Sequence, residues 1–319
     1  MRLIHYILIA LLWGFLFSAY AKAQIRVLPI LEQSSDARAT AMGGLSMVEN
    51  HGMYLYQNPA MLHYAPKDFS VEAGVKFFPK LEDAGREKLT SLSLGYSFLE
   101  RHVVLAGLRY LGGLSFAQPD PISGADTDKR FFPYTLTLDL GYSYLLNEQL
   151  SLFLTSGFIR HHTSRTGFAG TFSLGANYRQ DLSEARWNIG AKVSDFGTPL
   201  IYQNGAKYAL PTSAELSGSY SMLFSDEGTL SGVAGVRYFF LPSKGRLLRA
   251  GIGTEYCWRK LLALRAGYDY GDKGTGGISG GVGINYNDLR LDLTYRHGTH
   301  QHTPNSFVIT LGYAFGKKE

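Results

Sequence analysis

Five histidines are the first residues that could do chemistry. His161 and His162 are adjacent, and His297, His300 and His302 follow within six positions. Imidazoles so spaced can share a transition metal. The carboxylate and thiolate partners that would make such a site specific are missing, so no metal is assigned. Gly274-Thr275-Gly276-Gly277 and Gly280-Gly281-Val282-Gly283 have the composition of a phosphate cradle. They lack the strand-then-helix setting and the Lys-Ser/Thr which that chemistry requires. No Gly-x-Ser-x-Gly and no His-Glu-x-x-His occurs, and Cys257 has no histidine partner in a nucleophile pattern. The expectation is a protein without catalytic residues or cofactor. Charges within apolar segments remain: Arg109, Asp139, Lys192, Glu215, Glu255, Arg265, Asp269, Arg290, Asp292 and Arg296.

The elements that carry these charges have a period of two. In 134–145, Leu136, Leu138, Leu140, Tyr142 and Tyr144 share one face, while Thr135, Thr137, Asp139, Gly141 and Ser143 share the other. Successive strand residues point to opposite sides. Leu289/Leu291/Leu293/Tyr295 against Arg290/Asp292/Thr294/Arg296 repeats the pattern. Most such segments run about 9–11 residues, which suits a tilted membrane strand. Fourteen can be placed between 70 and 315. The connections alternate in length: 78–88, 113–133, 195–212 and 298–305 are long, whereas Leu99-Glu100-Arg101, Leu146-Asn147-Glu148 and Asn287-Asp288 are short turns. A soluble sandwich has no reason to sort loops by parity. A bacterial barrel does, with short periplasmic turns, longer outside loops and an aromatic girdle. The predicted fold is therefore all-β, a closed fourteen-stranded antiparallel transmembrane barrel with both termini periplasmic. Charge on a lipid face costs about 2–4 kcal/mol for Arg or Lys at the midplane. Arg109, Asp139, Arg265, Asp269, Arg290, Asp292 and Arg296 should face the lumen, either pairing with one another or lining a path.

The chain's ends and composition agree with export. Arg2, the apolar run Ile4–Phe17 and Ala21-Lys22-Ala23 form a signal peptide, removed after residue 23. Losing Arg2 and Lys22 from 31 basic residues leaves a surplus of 3 over the 26 acidic ones, too mild and scattered for nucleic acid. One cysteine allows no internal disulfide, so an exported chain needs another brace, which a closed barrel in lipid supplies. The predicted division is 1–23 signal peptide, 24–69 an inward-folding plug, and 70–319 the barrel.

The 24–69 segment holds Asp36-Ala37-Arg38-Ala39-Thr40-Ala41-Met42-Gly43-Gly44 and then Asn58-Pro59-Ala60. A short helix and a tight turn are expected there. These elements resemble the PorV/PorQ family of the type IX secretion system, itself similar to FadL-type barrels of fourteen strands with an inward-folded N-terminal plug. Leu108-Arg109-Tyr110-Leu111-Gly112 with Phe116, Leu138–Ser143, Asn188-Ile189-Gly190 and Leu210-Pro211-Thr212 extend the likeness along most of the mature chain. The resemblance implies a barrel that engages secretion-system components and secreted cargo, with lipid bilayer and lipopolysaccharide around it. A FadL-like transporter of hydrophobic small molecules is the alternative. Cargo would meet the outside loops, which carry Phe116, Phe131, Phe132 and Tyr134, and Phe196, Tyr202 and Tyr208. Aromatic anchors in a polar rim are what interface hot spots are made of. The competing expectation is that these rings pack on one another and close the barrel mouth.

Overall fold

The computed structural model describes residues 27–119, 126–225, 227–272, 274–300 and 303–316. The expected signal peptide, Asp120 and His302 lie outside them. Fourteen strands follow one another: β1 Phe69–Leu81, β2 Gly85–Phe98, β3 His102–Leu114, β4 Tyr134–Leu145, β5 Leu150–His162, β6 Thr166–Asp181, β7 Ala185–Gly197, β8 Ser213–Ser225, β9 Gly228–Phe239, β10 Leu247–Trp258, β11 Leu262–Gly271, β12 Gly277–Tyr286, β13 Leu289–Gly298 and β14 Ser306–Phe315. Each pairs antiparallel with its neighbours, and β1 pairs with β14 from Phe69↔Phe315 to Phe77↔Phe307. The sheet closes on itself and leaves no edge, the condition for strands to cross lipid with every backbone group paired.

Alternation sorts the two faces as the pattern requires. Leu138, Leu140, Leu154, Leu174, Ile252, Leu264 and Leu311 are exposed on the outside. Thr137, Asp139, Asn177, Asp292 and Thr310 are buried inside. Along the rim at the short-turn end of β14, β1 and β2, rings stack with near-parallel planes: Phe315 with Phe69 at 4.9 Å, Phe69 with Tyr96 at 4.2 Å, and Tyr96 with Phe98 at 5.7 Å. Such a belt suits the bilayer interface, where amphipathic rings sit best.

Two features of the long loops go beyond the sequence reading. Within 113–133, Phe116–Pro119 and Asp126–Phe131 form a separate hairpin. Within 195–212, Leu200–Tyr202 pairs with Lys207–Tyr208 and with the outer end of β6. This second loop thereby continues the wall where β7 has stopped.

Residues 27–68 lie against the inward faces of the strands. They include a 3-10 turn Pro29–Leu31, the short helix α1 Ala37–Ala41 and a 3-10 helix Pro59–Tyr64. The expected tight turn at Asn58-Pro59 takes the form of a helix start. Asn58 is extended at φ −133°, and Pro59 occupies the first helical position. Proline disfavours a helical residue before it and suits that position because it has no N–H to satisfy.

Candidate functional site in the barrel lumen

The helix α1 is held by polar bonds at both ends. The Asp36 carboxylate accepts the Ala39 N–H at 3.1 Å, capping the helix. Ala37 N–H donates to Thr310 Oγ1 at 2.9 Å, Thr294 Oγ1 donates to Ala37 O at 2.7 Å, and Ser279 Oγ donates to Ala41 O at 3.0 Å. The helix is thus sewn to β14, β13 and β12. Gly44 N–H then bonds back to Ala39 O at 2.8 Å. Gly43 has φ +84°, and a Cβ there would come within 2.8 Å of the Ile252 backbone. The plug backbone touches the wall at this point, which only glycine permits.

Arg38 reaches from α1 to Glu255 with two parallel bonds, Nε to Oε2 at 2.9 Å and Nη2 to Oε1 at 2.8 Å. Glu255 also accepts from Arg265 at 2.5 Å, and Arg265 donates to Asp292 at 2.6 Å. Arg290 Nε stands 3.0 Å from Asp292 Oδ2, and Arg290 Nη2 stands 3.7 Å from Glu72. A Cβ on Gly52 would fall 1.9 Å from Arg290, so the plug leaves room for this pair by lacking a side chain there. The charged chain crosses β1, β10, β11 and β13 and ends on the plug. Each member is buried, and a buried charge is tolerable only when paired. Burial pushes the Asp36 carboxyl above its usual range, against the pull of Arg290.

Of the other inward charges, Arg109, Asp139 and Glu215 also bind the plug, while Arg296 and Asp269 brace the wall. Arg109 donates to Thr137 and to Ile30 O, stands 3.5 Å from Asp139, and stacks on the Tyr56 ring at 4.5 Å. Tyr56 itself donates to Asp139 at 3.2 Å. Arg296 clasps Asp269 at 2.7 and 2.6 Å. Glu215 accepts from Ser46 and Met47 backbone N–H groups at 2.8 and 2.9 Å and also binds Arg237. Asn58 Nδ2 donates to Asn177 at 2.8 Å. Sequence reasoning placed Glu215 inside but gave it no partner, and it did not single out Arg237, Glu49–Arg186 or Glu32–Arg249. Alternation marked the strand members as inward, but nothing local names partners 137 positions apart, as for Arg186 and Glu49, or 217 apart, as for Arg249 and Glu32.

The outer half of the lumen differs. There the inward positions of β1, β2, β3, β5 and β6 carry Phe78, Leu89, Leu111, Ile159 and Ala169. They form one buried apolar cluster with Leu28, Ile30 and Leu31 of the N-terminal segment and with Leu200 and Leu210 of the 195–212 loop. The signal was available as apolar residues on the polar face near strand ends. It was missed because it breaks the pattern that defined the strands.

The loop aromatics divide between packing and exposure. Tyr202 and Tyr208 lie on that cluster, 5.7 Å apart and edge-on. Phe196 is half-buried beside Phe172 at 6.2 Å. Phe116 and Phe131 face each other across the hairpin at 5.6 Å, and Tyr134 stacks on Tyr110 at 5.8 Å. Phe132 alone of the seven stands well out, 61% exposed. His161 bonds Thr135 at 2.8 Å and His162 bonds Thr166 at 2.9 Å. Among the described residues no three metal-donor side chains converge.

Two of the cavities among the described residues bear on these charges. One, of about 80 Å³, is walled by Arg109, Asp139, Lys192, Asp195, Leu31 and Phe153. Asp195 sits at φ +59° where β6 and β7 slip register, so the bulge puts Ser194 and Asp195 together on this cavity. Bulges re-aim side chains in this way. The other, of about 200 Å³, lies at the outer end among Glu32, Lys76, Arg249, Asp269 and Arg296.

No family model and no curated protein matches this sequence. Solved structures do. The fold is similar to the Pseudomonas putida toluene transporter TodX, with TM-score 0.60 and 17% identity over 90% of this chain and 100% of that one. The Ralstonia pickettii toluene transporter TbuX follows at 0.60 and 15%, over 89% and 99%. A Pseudomonas aeruginosa FadL homologue matches at 0.51 and 13%, over 88% and 98%. The chain has the FadL-like outer-membrane barrel fold.

Proposed function

We propose that this chain is an outer-membrane transport barrel for hydrophobic small molecules. One observation carries the reading: the outer lumen holds an apolar compartment whose occupant is the chain's own Leu28, Ile30 and Leu31. A ligand site is a largely preformed, mostly apolar concavity. Burying a Leu or Ile side chain yields about 1.5–3 kcal/mol, and an apolar ligand offers the same wall the same contact. The side chains of Leu28, Ile30 and Leu31 are therefore exchangeable for ligand, while the segment's backbone stays tied at Ile30 O to Arg109. Proteins named as toluene transporters share the fold across their whole length, which supports a small apolar cargo. The test is uptake of radiolabelled toluene by cells that express the full chain. Faster uptake than the empty-vector control is expected, and lost acceleration in a Phe78→Asp variant that still assembles. Uptake equal to the control sinks the reading.

A second reading, an interaction barrel for secreted cargo and secretion partners, draws on Phe132. An exposed ring just past the end of the hairpin is poorly placed for the barrel's own stability and suits a partner's pocket. Replacing Phe131 and Phe132 together with Ser separates the two. Lost surface attachment of secreted proteins favours the interface; unchanged secretion with lower thermal stability leaves the hairpin as a lid.

A further inference from the structure

The outer cavity contains a charge that no carboxylate among the described residues pairs. Lys76 faces inward from β1, is only 5% exposed, and borders the 200 Å³ space. Its ammonium donates to the Gln33 side-chain oxygen at 2.8 Å and lies 5.6 Å from the Phe78 ring. Among the described residues no carboxylate comes within ion-pair distance of it. The two carboxylates bordering the same space are engaged elsewhere: Asp269 takes both of its bonds from Arg296, and Glu32 stands 3.5 Å from Arg249. An ammonium has three donors, so one neutral amide oxygen leaves it under-served. A buried charge without a counter-charge is costly, and proteins ordinarily pair it or neutralise it. Arg249 and Arg296 line the same cavity beside their carboxylates Glu32 and Asp269, so Lys76 is the positive charge those carboxylates do not offset.

We propose that this cavity binds a small oxyanion, a phosphate or carboxylate group, with Lys76 as its principal donor. The site is separate from the apolar compartment and does not rest on the transport reading. A tetrahedral or planar anion in the cavity supplies the acceptors that Lys76 lacks, and charge-assisted bonds of this kind are the strong ones. Gln33 belongs to the N-terminal segment and holds the ammonium from the plug side. Occupancy by an anion therefore also ties the barrel wall to the plug.

The test is calorimetric titration of the purified full barrel with inorganic phosphate and with acetate, against chloride at equal ionic strength. Saturable binding of one or both is expected, weakened at least about tenfold in Lys76→Gln and largely retained in Lys76→Arg. Equal affinity in wild type and Lys76→Gln overturns the proposal, as does no binding of either anion or of lipid phosphate. Micelles doped with phosphatidic acid, set against phosphatidylcholine, distinguish a lipid headgroup from a soluble anion; binding from either source supports the site. Should Lys76→Gln fail to assemble, reductive methylation of the wild type asks the same question. Lys76 should be methylated in chloride and spared in the anion that binds. Equal methylation in both overturns the proposal.

Discussion

The plug is held in two different ways on two sides of the lumen. Toward β10–β14 it is bonded. Arg38, Glu255, Arg265 and Asp292 form a continuous charged chain, and α1 is tied to Thr294 and Thr310. Toward β1–β6 at the outer end it is greased, with Ile30 and Leu31 packed among Leu89, Leu111 and Ile159. Bonded contact is directional and fails when one partner is lost. Apolar contact is non-directional and accepts substitutes of similar volume. The difference separates a fixed anchor from a replaceable cover.

The largest test of that contrast removes both. Deleting 24–60 takes away anchor and cover, and single-channel recordings should change from little conductance to an open, steady current. Unchanged conductance would mean the segment does not obstruct the lumen. Next, Arg38→Met strips the anchor alone. It leaves Glu255 with Arg265 but cuts its bidentate link to the plug, and breaking a buried pair costs about 3–5 kcal/mol. The heat-modified mobility of the barrel on gels should shift to lower temperature, with bursts of conductance. Ile30→Ala touches only the cover. A fully buried Ile lost to Ala costs about 2–5 kcal/mol where the site cannot collapse, and the low end is expected because the neighbouring cluster can close in. Toluene uptake should change while the melting temperature falls less than in Arg38→Met. The reverse result would erase the distinction between the two sides.

The smallest effect is a pH dependence. His51 lies in the plug, exposed within the lumen. Burial, and then the Arg38 charge, lower its pKa from 6.5 to about 4, against the pull of Glu49 and Glu255. Neutral His51 is the form the fold prefers. Its contribution is present above pH 6.5 and is lost as pH falls toward 4. Burial opposes it, yet the His51, Arg186 and Arg179 charges hold the Glu49 carboxyl below its usual range, so Glu49 also contributes above its unfolded pKa and less in acid. Conductance bursts should grow between pH 6.5 and 4, and His51→Gln should reduce that growth. An identical pH profile in the variant removes His51 from the account.

Much of this was legible beforehand, for a definite reason. Lipid enforces strict alternation, so Leu136, Leu138 and Leu140 named one face and Thr137 and Asp139 the other. Strand ends were less legible. β2 begins at Gly85, seven residues before Leu92 opens its outward apolar face, because Arg86 and Lys88 continue the hydrogen-bonded ladder across a register shift where lipid no longer selects side chains. The Phe116–Pro119 hairpin was hidden for the same reason. The helix cap at Asp36 and the glycine approach at Gly43 belong to the motif that set 36–44 apart, although only the folded chain shows what they touch.

The sequence by itself determined that strands alternate, that there are fourteen of them, and which side chains face inward, since each follows from period two and loop parity along a contiguous segment. Only the tertiary structure decided which charges pair. Arg38 and Glu255 are separated by 217 positions, and the register that brings them together is the closed ring of strand pairings from β1 to β14. It also decided that Leu28, Ile30 and Leu31 fill the outer lumen and that Lys76 has no carboxylate partner among the described residues. Each of these is a sum over several strands at one height in the barrel, and no short stretch of sequence contains it.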